Sequence, residues 1–310
     1  MEMNIRILIE TMFLLLLLII TGYIVSKIHI LTEETTKKLS ELIVRVTCPA
    51  LIIGAVFKQD EVGDKGVNIL SILGLGVILY LSYILIAIIV VKFFKLKNNE
   101  KPIYELMLIF SNTSFVGIPV VKVLYGDAAI FYLTILHLSF NFLIYTYGVI
   151  KMKPENENIK FSFRSIFNSG VISALLGIVI YFLKIPLPNL AVNYLMTLGE
   201  VTIPLSLLLM GASLGKIPLK KVFTNRKLIL FCLLKLLVLP VFFYFIFSIF
   251  VKNRFYVELI TISTALPAGS MIIMFSLKYN KEVITSSLGV FLTTIFSIVT
   301  LPIIIYLLKI

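Results

Sequence analysis

Residues Ser111-Asn112-Thr113-Ser114-Phe115-Val116-Gly117-Ile118-Pro119 lie in the middle of an apolar run that extends from 102 to 124. About 20 apolar residues carry a helix across the hydrocarbon core of a bilayer, but this run contains its own interruption. Pro119 cannot donate a backbone hydrogen bond and clashes with the preceding turn, and Gly117 lowers the cost of unwinding. Asn112, Thr113 and Ser114 are the residue types that cap a restarted helix. In lipid, unwound backbone persists only where protein buries it or where it lines a cavity. A second stretch with the same ingredients, Ser263-Thr264-Ala265-Leu266-Pro267-Ala268-Gly269-Ser270, interrupts the run 256–278.

The surrounding chain sets these breaks in a membrane. Hydrophobic residues make up 59% of the 310 positions and charged residues 14%. Soluble chains carry roughly 45–50% and about 25%, so this chain has too little polar surface to face water. The mean hydropathy of +1.06 extends the apolar excess over most of the protein. An all-α polytopic membrane protein follows, with ten spans near 5–27, 37–57, 67–93, 102–124, 128–150, 165–184, 190–214, 226–250, 256–278 and 283–308. The first apolar stretch is too long for a signal peptide and lacks a small-residue cleavage site, so it is assigned as span one. Cys48 and Cys232 both fall inside apolar runs and read as buried small hydrophobes, leaving no disulfide framework.

The net charge of +12 would suggest nucleic acid in a soluble protein. Here 18 Lys and Arg flank the loops after odd-numbered spans and 8 lie on the other side, with Arg45 and Lys235 inside spans. That bias places both termini outside the cell membrane and the odd loops in the cytoplasm. The Gln59–Asp60–Glu61–Asp64 loop, acidic on balance, falls on the outer side in agreement. The longest cytoplasmic loops, around Lys151–Arg164 and Lys216–Lys227, are too short for a separate domain.

Helix breakers recur at a nearly fixed offset. Cys48-Pro49 in span two is matched by Ile203-Pro204 in span seven, 155 residues later. Span four ends Leu124-Tyr125-Gly126 and span nine ends Lys278-Tyr279-Asn280, an offset of 154, with Gly and Asn suited to a left-handed cap. Two five-helix copies, 1–150 and 165–310 joined by a 151–164 linker, must have opposite orientation because five is odd. That is the inverted-repeat plan of many secondary transporters. Accidental spacing of tolerated prolines is the competing explanation. Each broken helix would offer a second-half N-terminus with roughly half a positive charge, which favours a carboxylate or similar anion. Candidate substrate contacts are Asn112, Thr113, Ser114, Gly117, Pro119, Pro267, Gly269 and Ser270. Asn112 leads, because its amide can both donate to an anion and cap a helix end.

The segment Asn112-Thr113 with Gly117-Ile118-Pro119 and Tyr125-Gly126 resembles the fourth-helix signature of the auxin efflux carrier family, which includes the plant PIN-type carriers. Ala265-Leu266-Pro267 with Gly269, then Lys278-Tyr279-Asn280, resembles that family's ninth helix, and Pro204 with Leu208–Gly211 and Leu214 its seventh. The resemblance implies ten helices in a crossover fold, a homodimer, and an elevator mechanism. Helices one, two, six and seven would be the scaffold, and three to five with eight to ten the moving part. It implies an anion site beside the crossover at Asn112, Pro119 and Pro267. The long cytoplasmic loop of the plant carriers is missing, so the chain is more similar to short prokaryotic members, associated with dicarboxylates such as malate or malonate. The expected activity is carriage of such anions or of auxin-like carboxylates, with no cofactor and no nucleic-acid partner. Proton- or sodium-coupled uptake and potential-driven efflux both stay open.

Ionisable residues inside spans are functional candidates because they are costly there. Glu200, four residues before Pro204, is either a proton carrier or cation ligand, or an acid hydrogen-bonded to a neighbouring helix. Arg45, four residues after Glu41, either pairs with it or attracts the substrate. For Lys235, snorkelling to the interface is preferred over substrate contact. For His137, a satisfied core histidine is preferred over a proton relay. Glu10, Glu105 and Glu258 read as interfacial.

Other classes find less support. Aspartyl chemistry needs two intramembrane Asp, yet Asp60, Asp64 and Asp127 lie at loops or span ends. The two histidines, His29 and His137, are far apart and form no HExxH zinc motif, and no Walker lysine loop is present. No metal site is expected. A channel would show repeated filter motifs or charged rings, and neither is found.

Overall fold

The computed structural model describes residues 5–58, 68–153, 167–215, 225–279 and 281–310. The Gln59–Asp60–Glu61–Asp64 loop, the 151–164 linker from residue 154 on, the basic loop from Lys216 and Asn280 lie outside the described residues. Among the described residues the structure is helical, apart from one isolated bridge. In chain order the helices are α1 (Ile5–Lys27), α2 (Glu33–Val56), α3 (Ile69–Phe93), α4 (Lys101–Ile109), α5 (Thr113–Tyr125) and α6 (Ala128–Met152). They continue with α7 (Ser169–Leu183), α8 (Asn189–Ser213), α9 (Arg226–Phe250), α10 (Arg254–Ala265), α11 (Met271–Lys278) and α12 (Val283–Leu308).

Six of these, α2, α3, α6, α8, α9 and α12, are long and apolar enough to cross a membrane unaided. Their outward faces agree with lipid as solvent: on α3 alone Leu70, Val77, Ile78, Leu81, Leu85 and Ile89 are exposed. Expected spans four and nine do not qualify, because each is divided in two, α4/α5 and α10/α11. Expected spans one and six correspond to α1 and the 15-residue α7.

Three prolines shape their helices in the same way, whereas Pro302 sits inside α12 without a widened turn and the π turn Ile144–Gly148 of α6 precedes no proline. A proline ring clashes with the carbonyl four residues back, and widening the turn before it into a π-bulge removes that clash. Such π turns occupy Ile43–Thr47 before Pro49, Thr113–Gly117 before Pro119, and Leu234–Val238 before Pro240. In α8 the corresponding irregularity is an interruption at Val201, just ahead of Pro204.

The chain packs into two compact units that interleave along the sequence. The first comprises the described residues of Met1–Ile72, Ser114–Leu138 and Phe167–Lys216; the second those of Leu73–Thr113, Ser139–Ile166 and Ile217–Ile310. Each five-helix segment of the sequence therefore contributes to both.

Close backbone approach holds the first unit. Helix α1 lies against α8 so tightly that a Cβ on Gly22 would sit 2.0 Å from the Leu208 carbonyl oxygen, and one on Gly211 would sit 1.9 Å from that of Ile19. Without a hydrophobic drive between helices in lipid, such small-residue contacts supply the packing energy. Helices α2 and α8 cross at a buried hydrogen bond in which the Thr202 hydroxyl donates to that of Thr47 at 2.8 Å. In the second unit, tilted and edge-on aromatic pairs fill the interior: Tyr104 with Phe231, Tyr83 with Phe243, and Phe110 with Phe140.

Candidate functional site

The geometry that matters most lies in the second unit, where the two interrupted helices meet. Helix α4 ends at Ile109 and Phe110 is extended (φ −102°, ψ 95°); α10 ends at Ala265 and Leu266 is extended (φ −68°, ψ 150°). The two extended segments run antiparallel, with Ser111 opposite Ala268. Asn112 N donates to Pro267 O at 2.7 Å, and Gly269 N donates to Phe110 O at 2.8 Å. Pro267 has no N–H to lose, so its carbonyl serves the pairing without leaving a donor orphaned. A Cβ on Gly269 would lie 3.2 Å from Phe110 O, so a side chain there would press on the crossing.

Side chains from three other helices fix this crossing. Thr293 of α12 accepts from Ala268 N at 3.1 Å. Tyr83 of α3 donates its hydroxyl to Thr264 O, at the C-terminus of α10, at 3.4 Å. Lys235 of α9 donates its ammonium to Leu108 O, at the C-terminus of α4, and to Ser111 Oγ, both at 3.0 Å. The last carbonyls of a helix have no intrahelical donors, so each half-helix end is capped from outside, one by a phenol and one by a cation. The Lys235 ammonium also stands 5.9 Å from the centre of the Tyr83 ring, within cation–π range.

Several expectations change here. The break in span four lies at Phe110–Asn112, upstream of Gly117 and Pro119, which instead sit inside α5 where the proline widens the turn before it. In the second copy Pro267 and Gly269 lie within the break itself. Lys235 does not snorkel: it is fully buried at the crossing. Glu105 and Glu258, each in the second turn of its helix, are buried and paired: Lys151 Nζ lies 2.9 Å from Glu105, which also accepts from the Tyr147 hydroxyl, and Arg254 Nε lies 2.6 Å from Glu258. Glu10 is exposed.

The structure therefore brings Asn112 and Thr113, both buried, together with Pro267, Gly269 and the half-buried Ser270 in the second unit. Ser114, exposed, and Gly117 and Pro119, both buried, belong to the first unit. Glu200 is in the first unit too, with its side chain 57% exposed and its carboxylate 3.0 Å from Lys122 Nζ, which also holds Asp127 at 2.9 Å. Arg45 and Glu41 are both exposed and form no ion pair, although they stand four residues apart on α2. His137 is half-buried where the first segment of α6 ends, and its backbone N–H bonds to Leu133 O. Cys232 is buried and Cys48 half-buried, both as free thiols. Among the described residues no group of His, Cys, Asp and Glu is arranged to hold a metal ion.

Sequence reasoning missed the roles of Lys235, Tyr83 and Thr293 at the crossing. Their residue types were visible, but nothing in a sequence with all-round apolar helices shows which faces turn inward. A lysine nine residues into an apolar run, just before a proline, was the one available signal.

A family model described as "Membrane transport protein" matches residues 7–305, nearly the whole chain. An uncharacterized transporter of Methanocaldococcus jannaschii is 22% identical over 303 residues, covering 94% of this chain and 96% of its own. An uncharacterized transporter of Methanothermobacter thermautotrophicus is 23% identical over the same length and shares of coverage. With its interrupted helices crossing inside an all-helical, lipid-facing fold, the chain belongs to this membrane transport protein family, the auxin efflux carrier family its motifs resemble.

Proposed function

We propose that the protein is a secondary carrier of small organic anions, dicarboxylates foremost, working by an elevator movement in the cell membrane. The observation that carries this reading is the antiparallel crossing at Ser111 and Ala268, where Asn112 bonds to Pro267, the residue 155 positions later. The offset between Pro49 and Pro204 is the same, and so is that between Thr47 and Thr202, which are hydrogen-bonded to each other. Pairing of a residue with its own counterpart is what two inverted copies produce at their symmetry axis, and it supports ten spans as two five-helix repeats. Discontinuous helices at such a repeat are where secondary carriers place substrate.

Within this reading Asn112, Thr113 and Ser270 present amide and hydroxyl donors to a carboxylate beside Pro267 and Gly269, with Ser114, Gly117 and Pro119 shaping the restarted half of span four. Helices one, two, six and seven are the scaffold and three to five with eight to ten the moving part. The first packing unit gathers the former and the second most of the latter, which supports that division. The protein works as a homodimer, with both termini outside. It uses no cofactor and runs on the substrate gradient, the membrane potential or a coupled ion.

Purified protein in liposomes should take up a labelled dicarboxylate from a panel of C3 to C5 acids with saturable kinetics. Imposed proton, sodium and potassium-diffusion gradients identify the driving force. A flux that rises linearly with concentration and passes chloride equally well would contradict the carrier reading in favour of a channel.

A further inference from the structure

Charge accounting in the second unit leaves one group over. Among the described residues three acidic or basic side chains are buried: Glu105 at 5% exposure, Glu258 at 9% and Lys235 at 0%. All three are in this unit. The two acids are matched, by Lys151 and Arg254. Lys235 has a carbonyl, a hydroxyl and the face of an aromatic ring around it, but no carboxylate within ion-pairing distance. Taking an ammonium out of water costs several kcal/mol unless an opposite charge compensates it, and dipoles alone recover only part of that. An ionisable group held in this way inside a membrane protein marks function by default.

We infer that Lys235 is a fixed countercharge for the transported anion, carried by the unit that holds the crossing. Its ammonium binds Ser111, the residue next to Asn112, so the charge stands one residue from the leading substrate contact. Empty, the buried interior of the unit holds one unmatched positive charge; loaded with a dicarboxylate dianion, it holds one negative charge. The protein thus contains the cation that a carrier without such a lysine must take from solution. Each half of the cycle moves one charge, in place of two charges on the loaded step and none on the empty one. A unit charge crossing the whole membrane field shifts the inward–outward distribution by about 50-fold per 100 mV. The inference rests on the carrier reading above and adds to it the charge of the moving part.

The test is a voltage-step measurement on protein oriented in a planar bilayer, first without substrate and then with saturating malonate. The substrate-free protein should give a transient displacement current of up to about one elementary charge per molecule, and malonate should reverse its sign. Lys235→Met should abolish the substrate-free transient and roughly double the charge displaced with malonate, and Lys235→Arg should restore the wild-type pattern. If wild-type protein exchanges malonate across liposomes but shows no substrate-free transient, the inference is overturned. A transient unchanged in Lys235→Met overturns it equally. Should Lys235→Met fail to fold, the presence and sign reversal of the wild-type transient decide alone. Failure of malonate and every related dicarboxylate to exchange through wild-type protein would instead remove the carrier reading itself.

Discussion

Replacement of Gly211 by Leu is expected to abolish folding of the first unit. The backbones of α1 and α8 touch at this position, and even the first side-chain atom would lie 1.9 Å from the Ile19 carbonyl oxygen and 2.8 Å from Tyr23 N. No rotamer relieves a clash with main chain, so the helices must separate along their length. Separation would also open the contact at Gly22, one turn away on the same seam. Overpacking of ordinary cores costs about 1–3 kcal/mol; a displaced helix pair belongs to the exceptional class above about 4 kcal/mol. In detergent the variant should lose its monodisperse size-exclusion peak, and Gly211→Ala should lower the melting temperature markedly. Gly74 on α3 has nothing within 4 Å of the corresponding position, so Gly74→Leu should leave the melting temperature unchanged or raise it slightly. A Gly211→Leu protein that melts like wild type would show that α1 and α8 do not pack as described.

The second large effect is expected at Asn112, on transport and not on folding. Its backbone N–H carries the pairing with Pro267, which survives any change of side chain. Asn112→Ala removes one polar contact to the substrate charge. A hydrogen bond to a charged group is worth about 1.5–3 kcal/mol, so uptake at low substrate concentration should fall on the order of 100-fold. Asn112→Asp keeps the shape but sets a carboxylate against a carboxylate, and should abolish uptake altogether. Melting temperatures of both variants should stay within a few degrees of wild type. Uptake by Asn112→Asp at the wild-type rate would remove Asn112 from the site.

Much of this was legible in the sequence because lipid is an unforgiving solvent. Backbone polar groups must be satisfied within the protein, so a Pro-Gly-Ser-Thr-Asn cluster inside an apolar run can only be a deliberate break. The runs at 102–124 and 256–278 revealed theirs by composition alone. The position of the first break was not legible. Pro119 marks where the turn widens, while the chain leaves the helix at Phe110, where no breaker stands; the pairing partner Pro267, 148 positions beyond Pro119, decides that location. The inward placement of Lys235, and the pairing of Glu105 and Glu258, are not legible for a related reason. Hydropathy reports depth along a span but not which face turns inward, and a basic side chain that ends on a carbonyl looks the same in sequence as one that reaches the interface. Gly22 carries no special signal, since small residues are common throughout membrane helices, and Gly211 stands out only within the seventh-helix resemblance, which does not reveal its contact with α1.

Counterflow separates a carrier from every alternative raised by this chain. Liposomes containing the purified protein are loaded with unlabelled malonate, diluted into a trace of labelled malonate, and sampled over time. A carrier that presents one site alternately to each side should accumulate label transiently above equilibrium, with an initial rate well above that of empty liposomes, and Asn112→Asp should eliminate the overshoot. Label that enters no faster into loaded than into empty liposomes, and never exceeds equilibrium, across the whole dicarboxylate panel, would contradict the account.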